Sequence, residues 1–220
     1  MVTVALAPQD GDAMKSVLIS INSKWTSMIL TGEKTIEIRK NKPKIDGPFK
    51  CYIYCTINGD SLYLVNGKPM LNKVVLPLNQ HSTVWGLNGY VVAEFICKEI
   101  TPIKVFYNGL IQNWMAHGLD RSCVPYDDVS EYIGFGKTGY GWRIYNLKIY
   151  DEPKELNQFW KFSNDGERPC EKGKDCEYEY YDFSEDCRAC GIDFGGDDCP
   201  HMRMSRPPQS WCYVEGKVEK

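Results

Sequence analysis

Three Asn-Gly pairs, Asn58-Gly59, Asn66-Gly67 and Asn88-Gly89, punctuate the first half of this 220-residue chain. Asn and Gly tolerate the positive φ that a two-residue hairpin turn requires, so such a pair between apolar runs is a strong local signal for antiparallel strands. The runs on either side fit. Ser16–Ile21, Cys51–Thr56, Tyr90–Ile100 and Gly141–Tyr150 read as strands, and Ser210–Val214 as a last one. Thr35–Lys40 alternates, with Ile36 and Ile38 on one face and Thr35, Glu37 and Arg39 on the other, as a half-buried strand does. A short helix is expected over 23–31, opened by the cap residues Asn22 and Ser23 and stopped at Gly32. Further helices are expected over 109–117, 126–133 and, capped by Asp151 with Pro153 in the first turn, 154–160. Asn41–Pro48, rich in Lys and Pro, is a loop. There is no repeat, and strands and helices do not alternate as in a doubly wound sheet. The expected class is α+β, a small β-barrel with short flanking helices.

An apolar fraction of 43% supports a sizeable core, and most of the fourteen Tyr and six Trp are expected in strands and core. No run approaches the ~20 apolar residues of a membrane helix. Residues 1–13 lack a basic n-region and carry Asp10 and Asp12; they read as a tail rather than a signal peptide. A reducing cytoplasm is therefore expected, where ten cysteines mean metal ligands or buried thiols rather than disulfides. The net charge of −3 is unevenly spread. Residues 14–160 carry 17 basic and 13 acidic side chains, and residues 161–220 carry 9 and 14. A mildly basic body thus bears an acidic C-terminal segment.

The densest chemistry follows the first helix, in Gly32-Glu33-Lys34-Thr35-Ile36-Glu37-Ile38-Arg39. Lys34 offers a mobile point charge for phosphate or a developing oxyanion. Glu37 can keep that lysine charged or accept a proton. Arg39 shares the strand face of Glu37 and can pair with it or grip phosphate bidentately. Strict alternation puts Lys34 and Glu37 on opposite faces, so they converge only if Lys34 lies in the turn before the strand, which Gly32 permits. Read without further context, the same residues are a surface pair, Glu33–Lys34, and a structural ion pair, Glu37–Arg39.

This stretch resembles the G-x-K-x-x-E-x-R signature of ASCH domains, relatives of the RNA-binding PUA fold. The resemblance extends upstream through Ser23-Lys24-Trp25 and the helix ending at Thr31-Gly32, covers 14–160, and resumes at 206–215. The ending Arg206-Pro207-Pro208-Gln209-Ser210-Trp211 is similar to a variant common in phages and prophages. The resemblance implies a PUA-like barrel whose mouth recognises RNA or a modified nucleoside. Lys34, Glu37 and Arg39 would hold the ligand, and Trp25, Tyr54 or Trp142 would stack on a base. Some relatives are hydrolases of acetylated cytidine or are linked to ribonuclease activity. In the amidohydrolase group a Thr nucleophile stands where this chain has Glu37, and a further carboxylate follows, for which Asp127, Asp128 and Glu131 are candidates. Lys34 and Glu37 would then activate water. The departure at Glu37 favours binding or a different chemistry. A third reading is a phage protein that binds a host protein through its acidic segment.

Segment 164–205 is rich in Cys, Asp, Glu and Gly and poor in aliphatics, and reads as an insertion before the closing strand and tail, 206–220. Cys187-Arg188-Ala189-Cys190 is a C-x2-C knuckle, flanked by Cys176 and Cys199 at spacings that suit a four-thiolate zinc site. Cys170 and His201 are alternative ligands. A segment with so little apolar surface needs a metal to fold, so the zinc would be structural. The alternative is a loop with free thiols. Cys51, Cys55, Cys97, Cys123 and Cys212 read as small buried residues. Gly136-Lys137-Thr138 is a Gly-rich turn, since the phosphate-loop pattern needs a glycine where Glu131 stands. His81 and His117 are isolated. Metal analysis of the purified protein is expected to return about one zinc per chain; a metal-free protein whose fold ignores chelator would refute the site.

Overall fold

The computed structural model describes residues 16–72, 82–161, 204 and 206–216. The proposed zinc ligands Cys176, Cys187, Cys190 and Cys199, their alternatives Cys170 and His201, and the tail 1–13 lie outside these residues. Among the described residues no group of three or more His, Cys, Asp and Glu is placed to hold a metal ion, and no helix is long and apolar enough to cross a membrane.

Among the described residues, ten strands and two α-helices form an α+β fold. In chain order they are β1 (Ser16–Ile21), α1 (Ser23–Leu30), β2 (Ile36–Arg39), β3 (Phe49–Cys55), β4 (Leu62–Val65), β5 (Lys68–Leu71), β6 (Val84–Gly86), β7 (Val91–Lys104), α2 (Tyr126–Ile133), β8 (Thr138–Lys154), β9 (Phe159–Lys161) and β10 (Trp211–Gly216). Seven strands make the main sheet in the order β2-β8-β7-β3-β1-β10-β9, and β5-β4-β6 make a small second sheet. Within the main sheet β1 and β3 run parallel and the other pairs antiparallel.

The expected closed barrel is not what the hydrogen bonding gives. The ladder is open, with β2 at one end and β9 at the other among the described strands. Yet the sheet curls far enough for Arg39 of β2 to donate from Nη2 to the Ser20 carbonyl of β1 at 2.6 Å. Three strands separate β2 and β1 in the ladder, so the seam between them is spanned by side chains where a barrel would have backbone pairs. β2 has only four residues, and its backbone pairs with β8 alone among the described strands.

Three apolar clusters hold this shape. The largest joins α1 to β1, β3 and β7 through Val17, Ile19, Ile29, Ile53 and Phe95, and includes Trp142. A second gathers Leu18, Tyr52, Tyr54, Tyr150 and Phe159 on the other face. The third packs Ile36 and Ile38 of β2 against Ile103, Val129 and Ile133. The approach of α2 to β2 and β8 depends on a glycine: a Cβ at Gly139 would stand 2.6 Å from Ile133 Cγ1 and 3.2 Å from the Arg39 carbonyl oxygen.

Several expectations change. Asn66-Gly67 is the tight turn between β4 and β5, with φ of 48° and 76°. Asn58-Gly59 and Asn88-Gly89 instead lie in connections between the two sheets, and Asn88 works through its side chain. It accepts from Leu62 N and donates to the carbonyls of Thr56 and Asp60. Residues 109–117 are turns rather than a helix, with Gly109, Asn113 and Gly118 at positive φ. The helix expected over 154–160 is absent: β8 runs through Pro153 to Lys154, and a single 3-10 turn, Leu156–Gln158, leads into β9.

Gly139→Ala is expected to cost about 1–3 kcal/mol through overpacking against Ile133 and the β2 backbone, read as a lower urea midpoint with unchanged slope.

Candidate functional site

The site grows from the end of α1. Asn22 caps the helix, its side chain accepting from Lys24 N. At the other end Gly32, with φ of 79°, reverses the chain in a conformation that side chains resist. Gly32 N donates to the Ile29 carbonyl, and Lys34 N to that of Met28. Lys34 therefore lies in the turn before β2, the one arrangement in which it meets Glu37.

The ammonium of Lys34, 2% exposed, donates to the Ser122 carbonyl at 2.6 Å and pairs with Glu37 Oε2 at 3.3 Å. Ser122 ends a 3-10 turn, Leu119–Ser122, so the lysine satisfies a carbonyl at a helical C-terminus, where positive charge is favoured. The same segment is pinned to the turn by Thr35 N donating to the Arg121 carbonyl. Glu37 Oε1 pairs with Arg39 Nη2 at 3.1 Å, and that guanidinium reaches Ser20 across the seam. One buried carboxylate thus stands between two buried cations, with both oxygens engaged. Arg39 Nε is buried with no hydrogen-bond partner.

This chain of charges lines a cleft of about 290 Å³. The cleft occupies the seam: Ser20, Ile21 and Asn22 come from β1 and its end, Glu37, Ile38 and Arg39 from β2, and Val129 and Tyr132 from α2. Trp25 of α1, Lys34 of the turn after it, Val124 and Asp128 complete the wall. The Trp25 ring has Lys34 Nζ 5.5 Å and Lys24 Nζ 4.5 Å from its centroid, within cation–π range.

The residues singled out in the sequence divide cleanly. Lys34, Glu37, Arg39 and Trp25 come together. Trp142 and Tyr54 do not: Trp142 is fully buried, packed edge-on against Phe49, and Tyr54 sits in the second cluster. Both are core rings with no free face for a base. Of the three candidate carboxylates, Asp128 lines the cleft; Asp127 and Glu131 are not among its lining residues. Sequence reasoning missed Ser20, Asn22 and Tyr132. Tyr132 carried a usable signal, since Val129 and Ile133 of the same helix are apolar at helical spacing and Tyr132 lies on the edge of that stripe.

Cys51 lies close enough to the triad for Arg39 and Glu37 to act on it electrostatically. Its thiol is pushed well above its ordinary range, first by burial and then by Cys97, against the lowering effect of Arg39. It stays protonated and is no nucleophile. Burial likewise pushes Cys55 up to about 11 and Cys97 and Cys212 up to about 12.

Three crystal structures of the ASCH protein of Zymomonas mobilis are similar to this chain: the unsubstituted protein and two single-substitution variants. Each is 16% identical, covering 66% of this chain and 76%, 77% or 78% of its own length, with TM-scores of 0.42, 0.44 and 0.43 respectively. No protein-family model and no curated protein matches.

Removing one partner of a buried ion pair strands the other, at a cost of about 3–5 kcal/mol. Glu37→Gln, which leaves two buried cations uncompensated, is expected to lose stability on that scale. Adding Lys34→Met should return part of it, with a coupling of about 0.5–3 kcal/mol in urea denaturation. Strict additivity would show that the pair is not coupled.

Proposed function

We propose that the chain is an ASCH-type binding module and that the seam cleft takes RNA at a single nucleoside, ordinary or modified. The motif that resembles the ASCH signature supports this reading, because its Lys, Glu and Arg are the residues that wall the cleft. The observation that carries it is the joint presence, in one cleft wall, of the Trp25 ring and two cations whose donors are not all used. Two of the three Lys34 donors are taken by Ser122 and Glu37, and Arg39 Nε has no partner. A nucleotide whose base stacks on Trp25 would bring carbonyl or phosphate oxygens to the cleft cations. Size points the same way: about 290 Å³ sits at the low end of the roughly 300–1,000 Å³ typical of small-molecule sites.

A hydrolase is the second reading, with Lys34 polarising the scissile group and Glu37 activating water. The ion pairing weighs against it. A general base needs a free oxygen within reach of the water proton, and both oxygens of Glu37 are held by cations. Asp128, which also lines the cleft, is the carboxylate better placed for that role. The structural zinc at Cys176, Cys187, Cys190 and Cys199 is part of the same proposal and rests on their spacing. It would stabilise the acidic segment and take no part in chemistry, because four thiolates leave no open position.

The test is mass spectrometry of cellular RNA after incubation with the protein, scoring strand breaks and modified nucleosides, beside a measurement of RNA retention. Retention without any product, weakened by at least about tenfold in Lys34→Met, is expected. A product that vanishes in that variant would replace the binding reading with the hydrolase.

A further inference from the structure

Beyond the cleft, the described residues expose an unusual run of large rings. Phe106, Tyr107, Tyr132 and Phe135 are between 40% and 88% exposed, with Leu110 among them at 56%. They come from two neighbouring segments, the end of α2 with the residues after it and the reversal after β7. Tyr132 lines the cleft at the C-terminal end of α2, and Phe135 follows just past that end, after Gly134 at φ 96°. The reversal at 105–111, tied by the Val105–Ile111 bridge, lies alongside Phe135 and Gly136. Val105 N donates to the Lys137 carbonyl. A Cβ at Gly109 would stand 3.5 Å from Phe135 Cε1, and one at Gly136 2.6 Å from Tyr107 Cε1. Two glycines at positive φ, 84° and 72°, therefore seat rings that remain open to solvent.

Lysines accompany the rings. Lys40 Nζ lies 4.9 Å from the Tyr132 centroid, and Lys104 Nζ 5.3 Å from that of Phe106. Lys137 is exposed beside Phe135 and Gly136. The acids of α2 are Asp127, Asp128 and Glu131; Asp128 stands one turn before Tyr132 and lines the cleft with it. A purely apolar partner would not call for ammonium groups over the ring faces. A chain of phosphates joining flat bases would use both: the rings stack bases of any identity, and the lysines neutralise phosphate.

We propose that the surface formed by Tyr132, Phe135, Tyr107 and Phe106, with Lys40, Lys104 and Lys137, is a stacking lane for single-stranded nucleic acid leading away from the cleft. It rests on the reading of the cleft as a nucleoside site and extends it: the natural ligand is a strand, one nucleotide of which enters the seam.

The test measures anisotropy of a labelled oligouridylate of roughly eight nucleotides, alongside binding of uridine monophosphate, for the full chain and its variants. Tyr107→Ala with Phe135→Ala is expected to weaken the oligonucleotide by about tenfold or more and to leave the mononucleotide unchanged. Lys104→Gln with Lys137→Gln should lower the slope of log K against log salt by about 1.4. Both pairs alter exposed side chains, and circular dichroism verifies their fold. Oligonucleotide affinity lost in Lys34→Met but untouched by the lane variants would overturn the lane and keep the cleft. Lane variants that matter in a protein with no mononucleotide affinity would keep the lane and remove the cleft reading. A wild-type protein that ignores the oligonucleotide, with sedimentation shifting from dimer to monomer in Tyr107→Ala/Phe135→Ala, would make the patch a contact between copies and overturn the proposal.

Discussion

The charge chain Lys34–Glu37–Arg39 is the interaction on which the arrangement depends. It does what a strand ladder would do in a closed barrel, joining β2 to β1 across the seam. Every link ends on backbone that something else fixes: the Ser122 carbonyl at the end of a 3-10 turn and the Ser20 carbonyl within β1. Burying three charges is expensive, and such a group stabilises little beyond its own desolvation cost. Its role is positional. A hydrophobic replacement would pack as well but would leave the seam walls with no defined separation and the cleft with no donors.

That arrangement explains why a four-residue edge strand is buried along its whole length. Ile36 and Ile38 face the α2 cluster, while Glu37 and Arg39 face the cleft. Alternation in the sequence announced two faces correctly. It could not announce that the polar face is also enclosed, because much of the enclosure comes from the 119–124 segment and α2, which lie far along the chain, and from β1, which only folding brings across the seam.

The same distinction runs through the rest of the chain. Features set by a few neighbouring residues were legible: β1, α1 with its Asn22 cap and Gly32 stop, the 126–133 helix, the Asn66-Gly67 turn, and Lys34 in the turn before β2. Features set by register were not. Trp142 and Tyr54 look like any other strand aromatics, and only their pairing partners decide that they face a core. Asn88-Gly89 has the composition of a hairpin, yet β6 and β7 belong to different sheets, and the asparagine amide is spent tying their connection to Thr56 and Asp60. Pro153 argued for a helix start, but β8 carries the chain through it because Lys154 still pairs with Val91.

The pairing of β9 with β10, Lys161 opposite Val214, brings together the strands that precede and follow the acidic, cysteine-rich stretch in the chain. Closing a longer loop over anchored ends costs only about 0.6 kcal/mol for each doubling of its length. A fold built this way has a grafting point. The length and sequence of a stretch inserted there are weakly coupled to the sheet, and the seam and its charges do not depend on them.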